Sequence, residues 1–77
     1  MKEFIEYTIK KLVDKPDKVF VEEKPSDDHT VEYHVEVDSD DVGKVIGKKG
    51  RNVNAMRTIL TALGAKDGKK AILHVVE

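Results

Sequence analysis

Cysteine is absent from the 77 residues. Disulfides and thiolate metal sites are therefore excluded, and the chain suits a reducing compartment. No apolar run is long enough for a membrane span or a signal sequence, and the amino terminus, Met1 to Glu6, is charged. A soluble cytoplasmic protein without a membrane partner is expected. Internal repeats and low-complexity segments are missing too. The length suits one domain over 1–77, with only about 60% of the unfolded surface buried on folding.

The most informative absence is of carboxylates. Residues 42–66 contain no Asp or Glu, yet carry Lys44, Lys48, Lys49, Arg51, Arg57 and Lys66. Residues 1–41 hold thirteen acids against six bases, so a net charge of −1 conceals a strong asymmetry. An acidic body with one basic segment focuses an anionic partner on that segment.

Hydrophobic spacing orders the rest. Ile5, Ile9, Leu12 and Val13 recur at helical intervals, and Pro16 ends that helix by pushing Lys15 out of helical geometry. A strand is expected over Lys18–Glu23, with Val19 and Val21 on one face, then a loop over Lys24–His29 around Pro25. Val31, Tyr33, Val35 and Val37 alternate with Glu32, His34 and Glu36, the pattern of a half-buried strand. Asp38 or Ser39 caps a short helix from about Asp40 to Ile46, which Gly47 breaks. A second helix begins near Arg51, with Val53, Met56, Leu60 and Leu63 on its core stripe and Gly64 as its left-handed end. Ala65–Lys69 reads as a loop, and Ala71–Val76 as the last strand. The predicted order is α-β-β-α-α-β: an α+β domain whose three-stranded mixed sheet carries its helices on one face. The core lies over about 30–77, preceded by a helix and strand over about 2–23.

Gly47-Lys48-Lys49-Gly50 joins the two later helices and is followed by Arg51. A helix start presents unpaired N–H groups, flanking glycines admit a ligand close to the backbone, and the cations neutralise phosphates. An anion-binding turn follows from these facts. The run Val42 to Arg51 resembles the I-G-x-x-G segment of KH domains, and the element order resembles their type II arrangement. Asp41 to Leu60, with Ala55-Met56-Arg57-Thr58 after the loop, is similar to small single-domain bacterial KH proteins of the KhpA type. The resemblance implies an RNA-binding protein, even an RNA chaperone, in which Gly47 and Gly50 bound a clamp for about four single-stranded nucleotides. It further implies that Lys48 and Lys49 face phosphates, that Lys44, Arg51 and Arg57 form the rim, and that Val45 contacts bases. Aliphatic contacts serve KH grooves more than stacking, in keeping with the lack of an aromatic after Tyr33.

Other readings fare worse. A Walker loop needs four residues between its glycines and a hydroxyl after the lysine; Gly43 and Gly47 are separated by three, and Lys49 follows Lys48. A DNA-reading helix wants polar side chains in its first turns, whereas Val53, Ala55 and Met56 dominate here. Ser26 and Ser39 are loop or cap residues, so no enzyme and no cofactor are expected. His34 and His74 lie on strands and could share the open sheet face, but two histidines without a nearby third ligand rarely make a structural site, so no metal is expected. The alternatives carried forward are single-stranded DNA binding and a protein-interaction module. The latter rests on a second apolar stripe, Ala55, Ile59 and Ala62, which packs on the preceding helix or on another protomer. The resemblance likewise implies a homodimer or pairing with a larger RNA-binding protein.

Overall fold

The computed structural model describes residues 1–76. It contains α1 (Lys2–Leu12), β1 (Phe20–Pro25), β2 (Thr30–Glu36), α2 (Val42–Ile46), α3 (Arg51–Lys66) and β3 (Lys70–Val75), with single 3-10 turns over Pro16–Lys18, Ser39–Asp41 and Lys48–Gly50. The expected α-β-β-α-α-β order and mixed three-stranded sheet are both present. The strands lie in the order β1-β2-β3, with β2 antiparallel to β1 and parallel to β3. No described helix is long and apolar enough to cross a membrane.

The period of two in β2 divides the sheet. Val31, Tyr33 and Val35 face one core together with Leu73 of β3, Ile5 and Ile9 of α1, Val45 of α2, and Val53, Met56 and Leu60 of α3. An eleven-residue helix is marginal alone in water, so α1 owes its persistence to the complete burial of Ile5 and Ile9. Tyr33 is the one large polar-tipped residue in that layer. Its hydroxyl donates to Glu23 Oε1 at 2.9 Å, and burial, reinforced by Glu23, pushes the phenol up to about 12. It therefore remains a donor at any ordinary pH.

Three local expectations need correction. β1 runs on through Lys24 and Pro25, which pair with Glu32 and Val31; proline is tolerated as the last residue of an edge strand. Leu63 leaves the core stripe and is 39% exposed. Gly64 takes its place, eleven residues after Val53, and is buried inside α3 rather than ending it.

The helix ends instead at Gly68, whose φ of +69° is the left-handed turn. Lys69 N–H donates to Gly64 O at 2.7 Å and Gly68 N–H to Ala65 O at 3.1 Å, the paired bonds of a Schellman end. Gly64 is required for a different reason: a Cβ there would stand 2.5 Å from the backbone oxygen of Lys69. Gly64→Ala should accordingly destabilise the domain by about 1–3 kcal/mol, outweighing the gain of up to about 1 kcal/mol from better helix propensity. Gly43→Ala, where a Cβ would meet nothing within 4 Å, should be neutral or stabilising. Urea unfolding of the two variants side by side checks the contrast.

Candidate nucleic-acid interface

Asp38 opens the segment that carries the glycine loop. Its carboxylate accepts the Asp40 N–H at 3.0 Å, the capping geometry expected of it, and this bond holds the Asp38 carboxyl below its ordinary range. Asp41 is the next fixed point, and the sequence alone did not single it out. It is 1% exposed, and its two carboxylate oxygens accept the backbone N–H groups of Asp14 (3.3 Å) and Lys15 (3.0 Å), just beyond α1. Its signal in sequence was weak, since it reads as one of several acids at a helix start.

α2 is a helix of five residues, and Gly47 ends it with φ +79° and ψ 168°. That combination is nearly exclusive to glycine. A Cβ at this position would lie 2.8 Å from Asn52 N and 2.7 Å from Asn52 Cγ. Asn52 is packed there because its Nδ2 donates to the carbonyl of Lys44 at 2.9 Å, stapling the first turn of α3 to α2. Lys49 and Gly50 then both adopt positive φ, +58° and +75°, before α3 begins.

The resulting turn presents Lys48, Lys49 and Arg51 to solvent. Among the described residues none of the three is within salt-bridge reach of a carboxylate, unlike Lys15 and Lys44 on the approach to the turn. No side chain caps α3, and its first turn holds no acid, so the positive end of its dipole is uncompensated. The arrangement is chemically suited to an anion.

Three residues assigned to the site from sequence are placed elsewhere. Lys44 pairs with Asp14 and, at 3.5 Å, with Asp41; the hydrogen bond to Asp14 raises its pKa above the ordinary lysine value. It belongs to the acidic tether and not to the free cations of the loop. Val45 is fully buried in the core and has no surface to give to a base. Its neighbours Val42 and Ile46 are half-buried and are the aliphatic side chains left at the surface of α2. Arg57 is exposed but engaged, donating to Leu73 O on β3 at 3.1 Å and to Asn54 Oδ1 at 3.4 Å. The second apolar stripe, Ala55, Ile59 and Ala62, does not pack on α2: all three are exposed, Ile59 by 45%.

Asp41 ties this turn to the rest of the fold. Asp41→Ala strands two N–H donors and should cost about 1–3 kcal/mol, read as a lower urea midpoint. Asn is a poor replacement, because its amide nitrogen would face one of those donors; Asp41→Asn should recover only part of the loss.

The family model for the KhpA/KhpB KH domain matches residues 2–75. The RNA-binding protein KhpA of Aquifex aeolicus is 48% identical over 77 residues, spanning all of this chain and 96% of its own length. The corresponding protein of Chlamydia trachomatis is 42% identical over the same span and covers 97% of its own length, and that of Listeria monocytogenes is 39% identical with both chains fully covered. No solved structure matches the chain significantly. A match along nearly the whole length, on a fold with this helix-loop-helix, assigns the chain to the KhpA/KhpB family of KH domains.

Proposed function

We propose that the protein is a non-enzymatic binder of single-stranded RNA, held by its phosphates at the turn Gly47–Gly50. The observation that carries this reading is the turn itself: three solvent-facing cations without acidic partners around an uncapped helix start. The relatives' name, RNA-binding protein KhpA, supports it. Lys48, Lys49 and Arg51 take the phosphates, while Gly47 and Gly50 let the strand approach the backbone. Val42 and Ile46 give aliphatic contact to bases. A grip of this kind reads backbone more than sequence, which suits broad post-transcriptional control or RNA chaperoning in the cytoplasm.

Three phosphate contacts on a single strand imply a shallow salt dependence, with a log–log slope of about −2. Lys48→Asp/Lys49→Asp should lower affinity for a short single-stranded RNA at least tenfold and flatten that slope, with an unchanged circular dichroism spectrum. Unchanged affinity in a folded double variant would sink the assignment. Equal or tighter binding of single-stranded DNA would redirect it.

The outer face of α3 supports a homodimer. Ala55, Ile59 and Ala62 form an exposed stripe, and Leu63 joins it. Small residues beside Ile59 let a second helix approach closely, and burying Ile59 contributes roughly 1.5–3 kcal/mol per protomer. The same face suits pairing with a larger RNA-binding relative, and two clamps on one assembly raise avidity. Ile59→Asp should remain folded, because Ile59 is outside the core, and should sediment as a monomer. A wild-type protein that is monomeric at high micromolar concentration overturns this.

A further inference from the structure

The sheet face opposite the helices carries a cluster that nucleic-acid binding does not use. Alternation along β2 places Glu32 and His34 on that face, and parallel pairing sets His74 of β3 directly beside His34. The two imidazoles lie 4.9 Å apart, centroid to centroid, and are inclined by 33°. Both aim Nε2 at one atom: Glu32 Oε1 is 3.5 Å from His34 Nε2 and 3.2 Å from His74 Nε2. Read from sequence, the histidines were a pair without a third ligand; Glu32, two residues before His34 on the same face of β2, supplies it.

We propose that Glu32, His34 and His74 form a binding site for a divalent transition-metal ion, with zinc as the fitting member. Bonds of about 2.0–2.1 Å in tetrahedral geometry separate neighbouring ligand atoms by about 3.3–3.4 Å. The two separations from Glu32 Oε1 bracket that value, and one ligand atom from each of the three residues falls within 4.8 Å of the others. Two imidazoles and a carboxylate suit zinc, copper or nickel rather than magnesium or calcium, which prefer all-oxygen shells. Glu32 is also oriented: its second oxygen accepts the Ser26 hydroxyl, the kind of outer contact that fixes a metal-ligating carboxylate. Lys24, paired with Glu32 across the ladder, makes its ion pair with Glu22 at 3.7 Å instead. All three ligands are solvent-accessible, so an ion can enter and keep water in a fourth position.

The ligands come from two strands, β2 and β3, so the ion would clip together the parallel pair on which α3 rests. Binding to the folded state alone then raises stability by mass action. The site is on the opposite face from the glycine turn, so its test does not depend on RNA.

The experiment uses the full, untagged chain stripped with chelator. Titration with zinc chloride by calorimetry should show one equivalent bound and a higher melting temperature. Cobalt(II) should give the intense visible bands of tetrahedral coordination, bleached by zinc. Glu32→Gln, His34→Ala and His74→Ala should each weaken zinc at least tenfold, and Ser26→Ala by a smaller factor. His29→Ala, on the exposed loop before β2, should change nothing. No zinc heat and no cobalt bands in the wild type would overturn the proposal. So would ligand variants that bind as tightly as the wild type, or a loss that follows His29 instead. Where a variant fails to fold, the wild-type cobalt spectrum decides: weak octahedral bands refute the site.

Discussion

Asp41 is the only buried charged side chain among the described residues, and the placement of the glycine loop depends on it. A carboxylate in that position is tolerable only if its oxygens are occupied. They accept the N–H groups of Asp14 and Lys15, donors left over where the chain leaves α1, and Lys44 stands 3.5 Å away. One side chain thus joins the exit of the first helix to the entrance of the second. α2 has five residues and cannot persist alone. It is held from inside by Val45, from before by Asp41, and from after by Asn52 reaching back to the Lys44 carbonyl. The turn that follows is therefore a loop on a braced support, which a binding site requires if it is not to lose affinity to ordering.

The same tether sorts the charges. Lys15 lies within reach of Asp38 and Asp40, and its pKa is raised, chiefly by the hydrogen bond to Asp40. Lys44 is likewise drawn to Asp14 and Asp41. Lys15 and Lys44 are thus paired at the tether, whereas Lys48, Lys49 and Arg51 have no carboxylate within reach among the described residues. At physiological salt the Debye length is about 8 Å, so a phosphate in the turn responds to the lysines touching it far more than to carboxylates elsewhere. An acidic protein can hold an anion on these terms.

Much of this was legible in the residues. The alternation of Val31, Tyr33 and Val35 identified the central strand, and the acids at Asp38–Asp41 marked the helix start, because both signals are local. The loop between Gly47 and Gly50 was legible for the same reason. What could not be read came from distant contacts. Glycine serves two needs, positive φ and missing Cβ, and only the approach of the Lys69 carbonyl shows that Gly64 meets the second and Gly68 the first. Val45 belonged to the right helix, but five residues do not reveal which side faces inward. Lys44 read as a free cation because Asp14 lies thirty positions away. His34 and His74 read as a pair without a third ligand for want of the strand register that sets His74 beside His34 and within reach of Glu32.

Size explains why the surfaces of interest lie where they do. A domain this small buries too little to cover every face of its elements. α3 commits Val53, Met56, Leu60 and Gly64 to the sheet, and no other described element covers its outer side. The sheet has helices on one face only, so Glu32, His34 and His74 stay accessible on the other. Scattered exposed apolar residues are ordinary on a protein surface. A stripe with helical spacing is a different matter: Ala55, Ile59, Ala62 and Leu63 share one side of one helix, and each could be polar without harm to the core. The core therefore gives no reason for their character. The assembly proposed for the outer face of α3 supplies one.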